Sequence, residues 1–239
     1  FLSYARQVVE QTNLLEERYK SHTETRELFS VSSQHYAFVV NAFVSLLKRA
    51  DMTRYELFLR ETRTYEIIED VKNFRSEIGV LFLNGYNRDV LTKMFDDNRL
   101  TYTSLFKARP HIFVSKSNPL AKHKVVSLED LEDFPYLSYD QGIHNSFYYS
   151  EEILSQIPHK KSIVVSDRAT LFNLLIGLDG YTIATGILNS NLNGDNIVSI
   201  PLDIDDEIDI VYLKHEKATL SKMGEKFLDN LVKEVTFDN

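Results

Sequence analysis

The 239-residue chain has no cysteine and no tryptophan, only eight glycines and five prolines, and fewer bases (27 Lys+Arg) than acids (35 Asp+Glu). Each shortage excludes something. Without cysteine there is no disulfide framework, thiolate zinc site, iron–sulfur cluster or cysteine nucleophile, and the redox compartment stays open. With so little glycine, phosphate-loop and dinucleotide-binding glycine motifs are absent. A formal charge of −8 argues against these residues forming a nucleic-acid-binding surface by themselves, because such a surface needs a basic field to displace phosphate counterions. No window approaches the ~18 apolar residues of a membrane span. The best stretch, from Val39 to Leu47, is interrupted by Asn41 and Ser45. What the chain does have is core material. Its 43% of hydrophobic residues include 15 Phe and 13 Tyr, too much for a disordered chain. The length suits one large domain or two lobes of about 100 residues.

The first residues, Phe1-Leu2-Ser3-Tyr4-Ala5, lack an initiating Met and already lie inside an amphipathic pattern, as in a fragment or processed product. Phe1, Ala5, Val8, Thr12, Leu15 and Tyr19 recur at spacings of four and three, a narrow seam that predicts a linker or dimerisation helix over residues 1–23 rather than a core helix. Three strand–helix units follow. Strand 27–31 leads through Ser32-Ser33-Gln34 to a helix over 36–47. Strand 55–60 leads through Thr62-Arg63-Thr64 to a helix over 65–74, and strand 77–83 through Asn84-Gly85 to a helix over 88–97. Such repeats imply a mainly parallel sheet covered by helices.

A long strand region over 100–115 ends in Asn118-Pro119-Leu120-Ala121, and a second α/β lobe follows. It comprises a short helix from 127, a strand at 136–139, a helix around 147–155, a strand at 162–165, a helix at 168–176 and a strand at 181–185. Strands at 197–202 and 208–215 and a helix over 220–235 complete the chain, the helix returning to the first lobe. The fold class is therefore α/β, two interleaved lobes with a cleft between them.

Several segments, in this order, resemble the regulatory half of a LysR-type transcriptional regulator, over essentially the whole chain. They are Leu14-Leu15-Glu16-Glu17-Arg18-Tyr19, Phe58-Leu59-Arg60-Glu61-Thr62-Arg63-Thr64 and Ser76-Glu77-Ile78-Gly79-Val80-Leu81. To these add Phe113-Val114-Ser115-Lys116-Ser117-Asn118-Pro119-Leu120-Ala121 with Val126-Ser127-Leu128-Glu129-Asp130-Leu131, the most specific pair. The chain departs from the family's pattern at Glu77, where Asp is common, and between Gly177 and Gly186, where a Pro is missing.

The resemblance implies the fold of a type 2 periplasmic binding protein, with residues 1–23 as the end of a linker helix, 24–109 plus 210–239 as lobe I and 110–209 as lobe II. It also implies a winged helix-turn-helix before Phe1, through which the full-length protein contacts DNA. The expected role is the effector-sensing and oligomerisation domain of a bacterial, cytoplasmic regulator, a homodimer or homotetramer, with no cofactor and no membrane association. Hinges are expected near Ala108-Arg109-Pro110 and over 204–208, and dimer contacts at helices 36–47 and 168–176.

In an open parallel sheet, ligands bind at the carboxyl ends of strands, where helix N-termini present unpaired N–H groups. This rule selects Ser32, Ser33, Gln34, Arg63, Thr64 and Asn84 from the first lobe, and Gln141, His144 and Asp167 from the second. Hydroxyls and N–H groups at two converging helix starts suit a small carboxylate or amino-acid-like metabolite. Each Ser or Thr reads equally as a plain helix cap. Arg63 could pair an anion by two parallel bonds, and Asp167 either reads an ammonium group or, by preference, caps the next helix. The resemblance favours Ser32, Ser33 and Thr64.

Enzymatic chemistry finds no foothold. The seven histidines show no metal-ligand spacing, and no Gly-x-Ser-x-Gly elbow exists. The competing classes are a transporter's extracytoplasmic solute receptor and a small-acid enzyme on the same fold.

Overall fold

The computed structural model describes residues 27–49, 55–188 and 194–236, together with Val9 and Thr12. The helix expected over 1–23 lies outside the described residues, apart from Val9 and Thr12, which are helical.

The first sheet grows from the strand–helix units. Strands β1 (Glu27–Ser33), β2 (Tyr55–Glu61) and β3 (Ile78–Leu83) alternate with helices α1 (Ala37–Arg49), α2 (Thr64–Lys72) and α3 (Arg88–Asp97), and β4 (Leu100–Ala108) follows. The sheet order is β2-β1-β3-β10-β4, where β10 is Ile208–His215. β3 is apolar throughout because both of its faces are covered. Ile78, Val80 and Phe82 join the cluster holding Phe38, Phe43 and Phe227, while Leu81 and Leu83 join Ile67, Ile68, Leu91 and Phe95 under α2 and α3. The last helix, α5 (Lys222–Thr236), packs on α1 and β1. Its Phe227 ring lies 5.4 Å from Phe29 and 6.5 Å from Phe43, and Asn230 accepts a bond from Arg49.

Glu77 ties the start of α5 to the start of β3. Its carboxylate accepts from the backbone N–H of Ser221 at 2.6 Å, one residue before α5. A Cβ on Gly224 would stand 2.3 Å from the same carboxylate oxygen, so this side chain and the glycine fit each other.

The second sheet has the order β7-β6-β8-β5-β9, formed by β5 (His111–Ser115), β6 (Tyr136–Tyr139), β7 (Ser162–Val165), β8 (Tyr181–Ala184) and β9 (Ile197–Pro201). One face packs on α4 (Arg168–Leu178) through Leu137, Val165, Leu171 and Leu175. The apolar cluster on the other face runs on into lobe I through Ile208 and Ile210.

Three expectations need correction. The sheets are mixed rather than mainly parallel: β10 runs antiparallel to β3 and β4, and β5 antiparallel to β8 and β9. Each of these two strands enters its sheet directly from a crossing between lobes. The long strand region over 100–115 is two strands in different sheets, parted at Arg109-Pro110, where proline has no N–H to continue a ladder. The returning crossing runs beside it, with Leu202 N–H donating to Pro110 O at 3.0 Å. Finally, the helix expected around 147–155 is only a short 3-10 turn, Phe147–Tyr149. Glu151, Glu152 and Ile153 are all buried, and three consecutive residues cannot share one face of an α-helix. Leu154, with φ of 59°, then leaves helical geometry altogether.

Candidate functional site

Loops at the carboxyl ends of β1 and β2 meet those following β6 and β7, and a chain of polar contacts joins the lobes there. Gln34 is buried, its Oε1 accepting from Tyr36 Oη (2.5 Å) and Phe82 N–H (3.1 Å), while its Nε2 donates to Thr64 Oγ1 at 2.6 Å. Thr64 opens α2, and its backbone N–H donates to Gln141 Oε1 across the cleft at 3.1 Å. Gln141 Nε2 donates to Glu151 Oε1 at 3.0 Å. Glu151 Oε2 then accepts from the backbone N–H of His35 at 2.9 Å and lies 2.8 Å from its Nδ1. His35 stands just before α1, so the Glu151 carboxylate sits where a helix start favours negative charge. The His35 ring stacks on Tyr139, 4.1 Å between centroids.

Flanking contacts tie the same loops. Arg63 donates through Nη2 to Asp140 Oδ2 (2.6 Å) and through Nε to the Asp140 carbonyl (3.1 Å). Arg168, at the start of α4, donates to Glu61 at 3.0 and 3.4 Å. The rings of Tyr65 and His144 stack at 3.5 Å. Gly142, with φ of +60°, sits against the Arg63 guanidinium, where a Cβ would come within 2.9 Å of Nη1.

Of the residues selected from sequence, the structure thus brings Gln34, Arg63, Thr64, Gln141 and His144 to the lobe contact. It leaves others outside. Ser32 faces the interior of lobe I, bonded to Asp70 Oδ2 (2.6 Å) and Ser76 Oγ (2.7 Å), because neighbours on a strand point to opposite faces. Asn84 braces its own turn and donates to Asp206 of the returning crossing at 3.2 Å. Asp167 caps α4, accepting from Thr170 N–H at 2.8 Å and Thr170 Oγ1 at 2.7 Å. Ser33 is fully buried and its hydroxyl has no partner among the described residues.

Behind the polar chain lies a cavity of about 50 Å³, walled on the lobe I side by His35, Tyr36, Phe38 and Phe82 and on the lobe II side by Phe113, Tyr139, Glu151, Glu152, Phe172 and Thr182. On a scale where one water needs about 10–15 Å³, this holds a few waters. A metabolite must part the lobes or move side chains to enter.

The charges inside are uneven. Burial is the largest influence on His35 and pushes its pKa down, but the bond to Glu151, the charge of Glu151 and that of Glu61 together raise it above 6.5. Glu152 is held well above the usual carboxylate range, first by burial and then by the neighbouring Glu151. Its Oε1 accepts from Tyr139 N–H at 2.9 Å, while Oε2 is buried without a partner among the described residues. Burial likewise raises the Tyr36 and Tyr139 phenols. Among the described residues no group of three or more His, Asp or Glu is placed to hold a metal ion.

The model of the LysR substrate binding domain family matches residues 32–236. The chain belongs to this family. Its polypeptide path follows solved LysR structures at low identity. HinK, a LysR family transcriptional regulator from Pseudomonas aeruginosa, is 14% identical, with a TM-score of 0.57 over 98% of this chain and 78% of that one. Full-length CbnR, solved with its target DNA, is 13% identical, with a TM-score of 0.64 over 98% and 80% of the two chains. The effector binding domain of QuiR in complex with shikimate is 16% identical, with a TM-score of 0.57 over 87% and 97%. At these identities the likeness carries the fold, which is type 2 periplasmic-binding-protein-like. Comparison with curated proteins gives no match. Family membership gives this LysR chain the effector-binding role of a transcriptional regulator; the family and its structural neighbours are regulators rather than enzymes. No helix among the described residues is long and apolar enough to cross a membrane.

The site residues that sequence reasoning missed are His35, Tyr139, Glu151 and Glu152. A faint signal exists: two adjacent acids run straight into Ile153-Leu154, so at least one acid must share the apolar side.

Proposed function

We propose that this domain senses a small carboxylate or amino-acid-like metabolite in the cleft between a lobe of residues 24–109 plus 210–239 and a lobe of residues 110–209, and through it controls DNA binding by the full-length regulator. The observation that carries the proposal is the polar chain Gln34–Thr64–Gln141–Glu151–His35, which joins the lobes next to an apolar cavity. At the starts of α1 and α2 the chain's own Glu151 carboxylate and Gln141 amide oxygen occupy the positions a ligand carboxylate would take. A ligand that exchanges with them changes which lobe arrangement is favoured, and that differential affinity is what an allosteric regulator transmits. DNA reading belongs to a winged helix-turn-helix joined through the linker helix, and the assembly is a homodimer or homotetramer in the cytoplasm. The faces of α1 and α4 are the proposed contact surfaces. The QuiR domain, whose structure holds shikimate, lends support to a small acid as the ligand class.

The test is a thermal-shift screen of small carboxylic and amino acids on this domain, followed by DNA-binding assays on the full-length protein. A ligand should raise the melting temperature by mass action, and Thr64→Ala with Gln141→Ala should weaken that response. If no small acid or amino acid stabilises the domain, the sensing role is wrong.

A further inference from the structure

Glu152 poses a problem that the lobe contacts do not solve. Its side chain is 3% exposed and lines the cleft cavity beside Glu151, and Oε2 has no hydrogen-bond partner among the described residues. The backbone N–H groups of Glu151 and Glu152 favour its charged form, yet neither closes a hydrogen bond to Oε2. A buried polar atom left this way destabilises the folded state unless something in the cavity pairs with it.

The other charges of the cleft are already matched. Glu151 is paired with His35, and Glu61 with Arg168. Glu152 otherwise acts on the phenols of Tyr36, Tyr136 and Tyr139, which are neutral. One acid is thus left over, next to a second that is paired with His35, in a chamber whose aromatic and aliphatic walls also carry Arg168 and Thr182. A carboxylate at this end would face two acids, whereas an ammonium group would ionise Glu152 and neutralise it.

We infer that Glu152 reads an ammonium group, so that the cleft ligand must carry an amine, with a small apolar body lying against Phe82, Phe113 and Phe172. This rests on the proposed sensing role and narrows the ligand from acids in general to amines and amino acids. The linkage balances as one proton: the neutral acid meets a ligand already protonated, an ion pair of carboxylate and ammonium forms, and the acid's proton passes to the buffer. Burial and Glu151 keep Glu152 neutral before binding, which is the condition for that release.

Glu152 also borders an open groove on lobe II lined by Tyr136, Ser138 and His159, so the experiment must locate the ligand as well as its class. Matched probes of one carbon skeleton serve: L-leucine, 4-methylpentanoate and 3-methylbutylamine, extended to the phenylalanine set. Calorimetry in buffers of different ionisation enthalpy reads affinity and proton release together. Amine-bearing members should bind with up to one proton released at neutral pH, and acids without an amine should bind at least about tenfold more weakly, the weight of one charge-assisted bond. Glu152→Gln should lose about tenfold in amine affinity and release no proton, while melting no lower than the parent. Ala184 lines the cleft cavity and not the groove, so Ala184→Leu should weaken amine binding too.

Simple acids binding as tightly as amines would overturn the inference while leaving the sensing role intact. So would unchanged affinity and proton release in Glu152→Gln, or indifference to Ala184→Leu. If no member of any class binds, the sensing role fails together with it.

Discussion

Removing Glu151 should open the lobes. In the closed arrangement its carboxylate accepts from His35 N–H, faces His35 Nδ1 and accepts from Gln141 Nε2, all at 2.8–3.0 Å. Glu151→Ala leaves those groups buried with nothing to accept from them. Deleting one partner of a buried, hydrogen-bonded ion pair costs about 3–5 kcal/mol, more than the pair is worth in isolation, because the remaining charge stays desolvated. Opening relieves this penalty, since water satisfies the same groups in the parted cleft. At about 1.4 kcal/mol per factor of ten, the closed-to-open ratio should fall by about a hundredfold to a few thousandfold.

Glu151→Gln should fall between parent and alanine variant, because it keeps an acceptor oxygen but gives up the charge. Small-angle scattering reads the change directly as a larger radius of gyration, and a double-mutant cycle with His35→Ala isolates the pair, with a coupling of at least about 1 kcal/mol expected for two groups in contact. If Glu151→Ala scatters like the parent and its effect simply adds to that of His35→Ala, then this contact does not hold the lobes together, and closure must rest on the Arg63 and Arg168 bonds or on the apolar cluster.

Stability should also fall as pH rises. His35 has a raised pKa in the folded state, so its contribution is complete below about 6.5 and is lost as pH climbs through the raised value. Glu152, raised from about 4.5, acts in the same sense, so melting temperature measured from pH 5 to 9 should decline, and less steeply in Glu152→Gln. Gly142→Ala should cost about 1–2 kcal/mol for the left-handed backbone and push Arg63 away from Asp140; chemical denaturation measures this, and Arg63→Ala in the same chain should recover the part due to the clash. Phe227→Ala, emptying a fully buried site between Phe29 and Phe43, should cost about 3–5 kcal/mol and lower the melting temperature by about 6–20 °C, read by calorimetry.

The parts of the fold that the sequence makes legible are those written in local periodicity. The helix over Arg88–Asp97 and the strands Tyr136–Tyr139, Ser162–Val165 and Ile208–His215 match their expected limits, because each is a short apolar pattern bounded by turn residues or acids. The strand passing through Arg109-Pro110 is different. Both halves have strand composition, and only pairing with partners about a hundred residues away, β10 for one and β9 for the other, assigns them to separate sheets. The same limit explains the absent helix around 147–155. Helical spacing is present there, but Glu151 and Glu152 turn inward to partners, His35 and Gln141 for one and Tyr139 N–H for the other, that local pattern cannot announce.

For the site, the helix-terminus rule identifies the right chemistry and misses the occupant. It places an anion acceptor at the starts of α1 and α2, and the structure has acceptors there, supplied by the chain itself as Glu151 and Gln141. This has an energetic consequence for any ligand. A carboxylate entering at those helix starts exchanges one set of bonds for a similar set, so it gains little and also gives up whatever closure those bonds supplied. Net affinity must come from contacts that the empty cleft leaves unmade. The apolar walls offer some, in proportion to the area covered. The unpaired Glu152 Oε2 offers the other, and because it is buried, desolvated and beside a second acid, it returns free energy only to a group that donates to it or neutralises it. Ligand selectivity should therefore follow the amine at Glu152 more closely than the carboxylate at the helix starts.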